Sequence, residues 1–241
     1  MALAPLQTFR ASTNRAWLLE EEGKRWLVKN YIGEHAEQRR DCETRRLTLW
    51  AHHGFRVPIL ENRTVNELKG EPHVVMEFIE GPTVQEVLRD MGQSKDNRLR
   101  RLRSVLAENR RRHGLVQELH EPGLLHHDPN TSNLLCLANG SCCFIDFEAE
   151  VAGWQIEFIA IEIAKLFRWA ARDLGRPDID SVGALMVEAY ADRKEWLKAI
   201  VQRTVERPLQ FLHRWQDDRR KMKSPGEVTK YDVADCLARL L

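Results

Sequence analysis

The feature that most constrains this chain is a stretch in its middle, residues 126–148. It carries Asp128 and Asn133, then two apolar runs joined by Asn139-Gly140, and then Asp146. An Asn-Gly pair between apolar runs is a strong signal for a β-hairpin. Antiparallel pairing would bring the start of the first strand, at Asn133, to the same edge as the end of the second strand, at Asp146. We therefore expect a loop and a hairpin that gather three oxygen-bearing side chains.

Two carboxylates and an amide oxygen are ligands that suit Mg²⁺, which keeps several waters and binds substrate phosphates. Phosphoryl transfer needs positioning and charge neutralisation more than covalent help. In this interpretation Asp128 accepts or orients the proton of an attacking hydroxyl, while Asn133 and Asp146 hold the metal that bridges the phosphates of ATP. Each residue alone could be a turn or strand-end residue, and it is their joint spacing that favours a functional role.

Composition sets the broad class. The chain has 241 residues, with 43% hydrophobic and 30% charged residues, which is ordinary for a soluble protein of one large domain or two compact lobes. Its net charge of +1 means that binding to nucleic acid or a membrane would need local patches. There is no secretory signal pattern and no apolar run near the ~20 residues that span a bilayer. The five cysteines show no metal-ligand spacing. We predict a cytoplasmic protein with reduced cysteines and no transmembrane segment.

The first third of the chain reads as strands around one helix, and the rest reads as mainly helical. The predicted strands are residues 16–20, 25–31, 57–60 and 73–79, and the predicted helix is 35–53. Gly81-Pro82 marks the boundary between an N-lobe, 1–80, and a C-lobe, 81–241. In the C-lobe the predicted helices are 84–91, 98–120, 156–171, 181–203 and 208–223. The predicted fold class is therefore α+β, with two lobes.

The order of these features resembles the protein-kinase-like superfamily. The pattern His-x-Asp-x-x-x-x-Asn, a hairpin and then Asp-Phe is similar to its catalytic and metal-binding signature. The resemblance covers residues 8–170 and implies that Lys29 pairs with the phosphates of ATP. It also implies that Glu43 is the helix glutamate that forms a salt bridge with Lys29. His126 is expected to brace the catalytic loop.

The same resemblance implies an adenine-binding segment. Residues 74–81 look like the hinge strand of the family, with backbone groups of Glu77, Phe78 and Ile79 near adenine. Met76 is most simply a core residue, although the resemblance puts it beside the adenine pocket.

The phosphate-covering loop departs from the family pattern. No Gly-x-Gly-x-x-Gly lies between Thr8 and Trp17. Ser12 and Thr13 occupy that place, where backbone amides and hydroxyls could contact phosphate.

Two subfamilies share features with the chain. Residues 45–58 and 131–133 look like the small kinase of the KEOPS complex and the RIO kinases, a broad group that includes lipopolysaccharide-core sugar kinases such as the Kdo kinases. Asp146-Phe147-Glu148 is instead similar to choline- and aminoglycoside-type kinases. Glu148 has three interpretations: a second metal ligand, an acceptor-binding group or a solvated residue. His127 is equally open between packing, phosphate contact and exposure.

The predicted function is transfer of the γ-phosphate of ATP to an acceptor hydroxyl with Mg²⁺. We rank a lipopolysaccharide-core type sugar above a protein Ser/Thr, since signals for peptide binding are missing. One rival interpretation is a nucleotide-binding scaffold or slow ATPase that regulates a partner complex; another is a metal-dependent hydrolase. Basic clusters at residues 100–103, 110–112 and 219–223 are either solvated helix faces or a docking surface for an anionic glycolipid or RNA.

Overall fold

An antiparallel sheet and one long helix form the first of two units in the computed structural model. The structure describes residues 4–5, 14–21, 23–205, 214–215, 217, 219, 222, 224 and 226–241. The first unit comprises Met1–Glu80 and Cys143–Glu150, and the second comprises Gly81–Cys142 and Val151–Leu241.

The sheet of the first unit has the strand order β1-β2-β3-β5-β4. Its strands are β1 (Ala4–Pro5), β2 (Asn14–Glu21), β3 (Lys24–Tyr31), β4 (Leu60–Glu61) and β5 (His73–Glu77). Side chains alternate between the faces of a strand, and one face carries a small core of Leu19, Val28, Val65, Leu68 and Val75. Helix α1 (Ala36–His52) buries one stripe of residues, which includes Glu43, Leu47 and Trp50.

Three of the four predicted strands of this sheet and its helix are confirmed. The strand predicted at 57–60 is wrong except for its last residue, since β4 begins at Leu60. Arg56 explains part of the difference. Its guanidinium donates to Val57 O at 2.8 Å and pairs with Glu77, and its own carbonyl accepts from Phe144 N at 3.1 Å. These contacts hold the segment in a conformation outside the strand ladder.

Residues 143–150 join the first unit, whereas the predicted boundary assigned them to the second lobe. The reason lies in aromatic burial. The Trp50 ring packs edge-on against Phe144 and Phe147, at centroid distances of 4.9 and 4.7 Å. Cys42 Sγ donates to Phe147 O at 3.3 Å, and Arg46 donates to Ala149 O at 2.5 Å. Helix α1 therefore holds the segment that carries Asp146.

The second unit is mainly helical, as predicted. Its helices are α2 (Val84–Arg89), α3 (Lys95–Leu119), α4 (Ile156–Leu174), α5 (Ile179–Ala189), α6 (Lys194–Val205) and α7 (Lys230–Leu240). Two short strands, β6 (Leu134–Cys136) and β7 (Cys142–Phe144), form a separate two-stranded sheet, and the division between the units falls within β7.

Two helix predictions need correction. The single helix predicted at 181–203 is two helices, α5 and α6, because the chain turns at Tyr190, where Arg193 N donates to Tyr190 O at 2.9 Å. Helix α7 was not predicted, although the sequence contains its start signal. Thr229 and Asp232 form a reciprocal capping box there. Most of the helix predicted at 208–223 lies outside the described residues.

Candidate functional site

Lys29 lies at the centre of a cluster of carboxylates in the first unit. It is in β3, and its Nζ is 2.7 Å from Glu43 Oε2, 2.8 Å from Asp146 Oδ1 and 2.7 Å from Glu148 Oε1. The ion pair that the resemblance implied between Lys29 and Glu43 is therefore present. Two more carboxylates share the same ammonium group, so three negative charges surround one positive charge.

Glu43 connects the secondary-structure elements that contribute to this cluster through its hydrogen bonds. It lies on the buried stripe of α1 and is 1% exposed. Besides Lys29, its Oε2 accepts from Tyr31 Oη at 2.5 Å, and its Oε1 accepts from Phe147 N at 3.4 Å. A buried carboxylate needs such partners, because removal from water is costly unless hydrogen bonds replace it. Glu43 thus ties β3 to the segment that follows β7.

The charges in this cluster shift three pKa values. Burial of Lys29 disfavours its charged form, but the neighbouring carboxylates outweigh burial and raise the pKa of Lys29 above its ordinary value. Burial, together with the charge of Glu43, raises the pKa of Tyr31. Burial also raises the pKa of Glu148 and outweighs the opposite effect of Lys29. Lys29 therefore stays charged and Tyr31 stays neutral at physiological pH.

Asp146 is presented by a constrained backbone. Its φ of 70° lies in the left-handed region, which costs about 1–2 kcal/mol for a residue other than glycine, although Asp tolerates it better than most. The next residue, Phe147, is fully buried against Trp50. Anchoring Phe147 offsets the strain at Asp146, whose side chain remains 43% exposed. The backbone of Asp146 is thus held in place, while its carboxylate remains accessible to a ligand.

Glu148, whose role the sequence left open, belongs to this cluster. Besides Lys29, it pairs with Arg39 Nη1 at 3.0 Å and accepts from Asn14 Nδ2. Arg39 Nη1 also donates to Asn14 Oδ1 at 3.1 Å. The interpretation of Glu148 as a solvated residue is wrong, because its side chain is only 19% exposed.

Sequence reasoning missed Tyr31 and Arg39 as members of this cluster. Tyr31 follows Lys29 by two residues in a strand, so the two side chains share a face. Arg39 precedes Glu43 by four residues in a helix, so they are neighbours on one helix face. These two spacings are signals that could have found both residues.

Among the described residues of this unit, the carboxylates of Glu43, Asp146 and Glu148 form a group that could hold a metal ion. Each offers one oxygen, and the three oxygens lie within 4.8 Å of one another. An all-oxygen donor set suits Mg²⁺. Of the metal ligands predicted from the sequence, Asp146 belongs to this set, and Asn133 lies in the second unit.

In the second unit, Asp128 and Asn133 share one short loop. Asn133 Nδ2 donates to Asp128 O at 3.0 Å and lies 3.5 Å from Asp128 Oδ2. The loop between them is shaped by Asn130, whose side chain accepts from Ser132 N at 3.1 Å, a typical turn interaction of Asn. The five-residue spacing in the sequence therefore brings the predicted catalytic and metal-binding side chains of this loop together.

Side chains of helix α4 form hydrogen bonds with the first residues and the middle of this loop. Glu162 Oε2 accepts from His126 N at 2.9 Å, and Lys165 Nζ donates to His127 O at 2.6 Å. Further along, Thr131 Oγ1 donates to Asp173, a buried carboxylate that also pairs with Arg89. The loop that carries Asp128 is thus held on both sides of that residue.

Glu162 is itself part of a buried charged network. It pairs with Arg112 and lies 3.5 Å from His113 Nε2. Burial raises the pKa of a carboxyl, but the charge of Arg112 and the hydrogen bonds from Arg112 and His113 together outweigh burial and hold the pKa of Glu162 well below its usual range. Burial lowers the pKa of His113, so this imidazole is neutral at pH 7. His126, predicted to brace the loop, is also buried.

The predicted adenine-binding segment lies at the end of β5. Met76 is 2% exposed and is a core residue. Glu77 N donates to Ile59 O at 2.8 Å and Phe78 N donates to Arg25 O at 3.2 Å, so both amides are already used. The groups of this segment that remain for a ligand contact are its carbonyl groups and Ile79. Ser12 and Thr13, predicted to contact phosphate, lie outside the described residues.

Within the part of the chain that the structure describes, no helix is both long enough and apolar enough to cross a membrane.

No protein-family model and no curated protein sequence matches this chain. Among solved structures, WaaP in complex with an acyl carrier protein is similar with a TM-score of 0.51 and 15% sequence identity, covering 82% of this chain and 86% of that one. An apo pseudokinase has a TM-score of 0.48 and 16% identity, covering 69% of this chain and 63% of that one. At such identity the likeness to WaaP shows the fold alone, and it confirms the predicted class: α+β and protein-kinase-like.

Proposed function

We propose that this chain, with its protein-kinase-like fold, is an ATP-dependent phosphotransferase that acts on an acceptor hydroxyl. The observation that carries this proposal is the Lys29 cluster. A largely buried ammonium group held charged by Glu43, beside two further carboxylates, is an arrangement suited to polyphosphate and a divalent cation.

Lys29 would contact the phosphates of ATP. Its ammonium group has three donors, and in the structure they face Glu43, Asp146 and Glu148. Glu43 is buried and remains in place, whereas Asp146 is nearly half exposed and can turn away. A phosphate of bound ATP would therefore replace Asp146 as the partner of the solvent-facing side of the Lys29 ammonium group.

Mg²⁺, when bound, supplies charge neutralisation for the transferred phosphate. Asp146 and Glu148 would hold it through carboxylate oxygens, and Asn133 is the further ligand that the family resemblance implies. Burial raises the pKa of Glu148 in the structure. Binding of a cation beside this carboxylate would lower that pKa.

Asp128 would orient the acceptor hydroxyl and accept its proton. This role requires a fixed carboxylate, and the loop contacts of Asn133, Glu162 and Lys165 supply the rigidity. The roles of Lys29 and Asp128 differ accordingly: the first binds the nucleotide and the second positions the acceptor.

We propose a hydroxyl of a lipopolysaccharide-core type sugar as the acceptor, and the cytoplasm as the compartment, where ATP is available. One observation supports the sugar: the sequence resemblance to the group that contains the core sugar kinases. The Ser/Thr hydroxyl of a protein is the competing acceptor.

The test is transfer of label from ATP. Purified protein is incubated with Mg²⁺ and γ-labelled ATP, with lipopolysaccharide core oligosaccharide in one arm and a protein extract in the other. We expect label in the oligosaccharide, with loss of at least 100-fold in Asp128→Asn and no change in Asp96→Asn, which alters an exposed aspartate at the start of α3. Label in protein alone would overturn the sugar assignment. ATP binding without label in either arm would favour the scaffold.

A further inference from the structure

A small pocket between helices of the second unit has no part in the site described above. It encloses about 190 Å³. Its floor and walls come from α4 and α6, and one further side comes from the first residue of α7. The lining residues are Ala160, Ile161, Ala164, Lys165, Arg168, Ile200, Arg203, Thr204 and Lys230.

The charged side chains that line this pocket are all positive. Four of the lining side chains are cationic and none is a carboxylate. Among the described residues, no acidic group lies within ion-pair distance of Arg168 or Arg203. Arg168 is half-buried, and its guanidinium carbon lies 5.4 Å from the centroid of the Trp169 ring. Positive charges concentrated in one small pocket repel each other, and a bound anion would remove that cost.

Two of the basic clusters noticed in the sequence, residues 100–103 and 110–112, contain arginines that have acidic partners, whereas most of the third, residues 219–223, lies outside the described residues. Arg103 pairs with Glu188 at 3.1 Å, Arg110 pairs with Asp192, and Arg111 pairs with Glu108. Those arginines form the balanced helix faces that were one of the two interpretations. The cationic pocket was not predicted, because its residues come from three helices that are far apart in the sequence.

One lining residue connects the pocket to the catalytic loop. Lys165 lines the pocket and donates from Nζ to the carbonyl of His127 at 2.6 Å. His127 directly precedes Asp128, the residue proposed to orient the acceptor hydroxyl. A ligand in the pocket would therefore lie against the support of that loop.

The chemistry of the lining defines the class of ligand. Guanidinium groups bind phosphate oxygens through paired N–H donors, and lysine adds a point charge. Ala160, Ile161, Ala164 and Ile200 add an apolar surface, which a carbon skeleton could cover. The volume corresponds to about six water molecules at about 30 Å³ each, enough for a phosphate group and a few attached carbons.

We propose that this pocket binds a phosphate group already present on the acceptor, so that the substrate class is a phosphorylated sugar rather than a neutral one. This inference rests on the proposed function, since it identifies the acceptor of that reaction. Arg168 and Arg203 are the specificity-determining residues, and Lys165 connects the occupied pocket to the loop.

Binding is tested first, in the absence of ATP. Inorganic phosphate and a hexose phosphate are titrated separately into the full chain by calorimetry, in a chloride buffer. Because Lys29 offers a second cationic site, the titration is repeated with Lys29→Met. We expect the hexose phosphate to bind more tightly than inorganic phosphate and its affinity to stay within twofold in Lys29→Met. Arg168→Gln combined with Arg203→Gln should lower it at least tenfold.

Two controls keep the result interpretable. Arg103→Gln removes an exposed arginine that already has an acidic partner and should leave the affinity unchanged. Arg203→Glu alone reverses an exposed charge with little risk to folding and should weaken binding at least fivefold. Equal affinity in the wild type and the double variant, or loss of binding in Lys29→Met alone, would overturn the proposal. So would equal affinity for inorganic phosphate and the hexose phosphate, which would indicate a site for free phosphate.

The phosphotransfer assay then separates this inference from the proposed function. With phosphorylated core oligosaccharide, the double variant should show a KM raised at least tenfold with kcat nearly unchanged. With the same oligosaccharide after phosphatase treatment, variant and wild type should be equally poor. Hexose phosphate binding without transfer to any acceptor would contradict the proposed function and, with it, the acceptor role of the pocket. Transfer with no dependence on the acceptor phosphate would contradict the pocket alone.

Discussion

Removing the charge of Glu43 tests the structural reasoning most directly. Glu43→Gln keeps the volume of the side chain but replaces one oxygen by an NH₂ group. Glu43 Oε2 accepts from Lys29 and Tyr31, while Oε1 accepts from Phe147 N. Glutamine has a single oxygen, so it can serve one side only. Its NH₂ group must then face either the Lys29 ammonium or the Phe147 amide, both of which are donors.

The size of the effect follows from four contributions. At 2.7 Å the attraction between Lys29 and Glu43 is about 6 kcal/mol for an effective dielectric constant near 20. Most of that attraction offsets the desolvation of Glu43, which is 1% exposed. What remains is the loss of a charge-assisted hydrogen bond and one unsatisfied buried donor, each worth about 1–3 kcal/mol. Because Lys29 keeps Asp146 and Glu148, we expect a net loss near 2–3 kcal/mol.

The measurement is urea unfolding followed by circular dichroism, combined with amide hydrogen exchange at Phe147. Glu43→Gln should lower the free energy of unfolding by about 2–3 kcal/mol and accelerate exchange at Phe147. Glu67→Gln, at an exposed position, should stay within about 0.5 kcal/mol of the wild type. If Glu43→Gln were as stable as Glu67→Gln, or if Phe147 kept its protection, the central role given to Glu43 would be wrong.

Three further predictions concern buried polar groups. Tyr31→Phe removes a donor from a buried carboxylate and should cost about 1–3 kcal/mol in urea unfolding; an unchanged midpoint would contradict that hydrogen bond. His113 is neutral in the fold because burial lowers its pKa, whereas the unfolded chain takes up a proton below about pH 6.5, so stability falls as pH drops below that value. In His113→Asn the slope of stability against pH should decrease by up to about 1.4 kcal/mol per pH unit below pH 6.5; a slope equal to that of the wild type would refute the assignment. Thr131→Val should cost about 1–3 kcal/mol in urea unfolding, because it takes a donor from the buried Asp173, and wild-type stability would show that the contact is dispensable.

Much of the fold could be predicted because its signals are local. The strands containing Trp17 and Lys29, the helix containing Glu43 and the long helix α3 follow from apolar periodicity and turn residues, and all appear close to the predicted bounds. The break at Tyr190 could not be predicted in this way. It has no glycine or proline, and the helix ends because Tyr190 is buried with His113 and Trp196.

In the candidate site, too, contacts between residues that are close in the sequence could be predicted, and most long-range contacts could not. Spacing alone predicted that Asp128 and Asn133 share a loop, and they do. The resemblance implied that Lys29 pairs with Glu43, and it does. The contacts of Glu148 with Lys29 and Arg39 were not predictable, because they join residues more than 100 positions apart. The catalytic, metal-binding and nucleotide-binding roles of these residues stay predictions.

The sequence by itself determined which residues could carry phosphotransfer, because residue type and short spacing in a hairpin or helix decide local neighbours. Only the tertiary structure decided how charge is arranged around them. It buried Glu43 beside Lys29, turned Asp146 into a left-handed conformation over a buried Phe147, and collected cationic side chains from three helices into one pocket. The physical reason is that burial and long-range contact set the strength of an electrostatic interaction, and neither can be read from a local pattern.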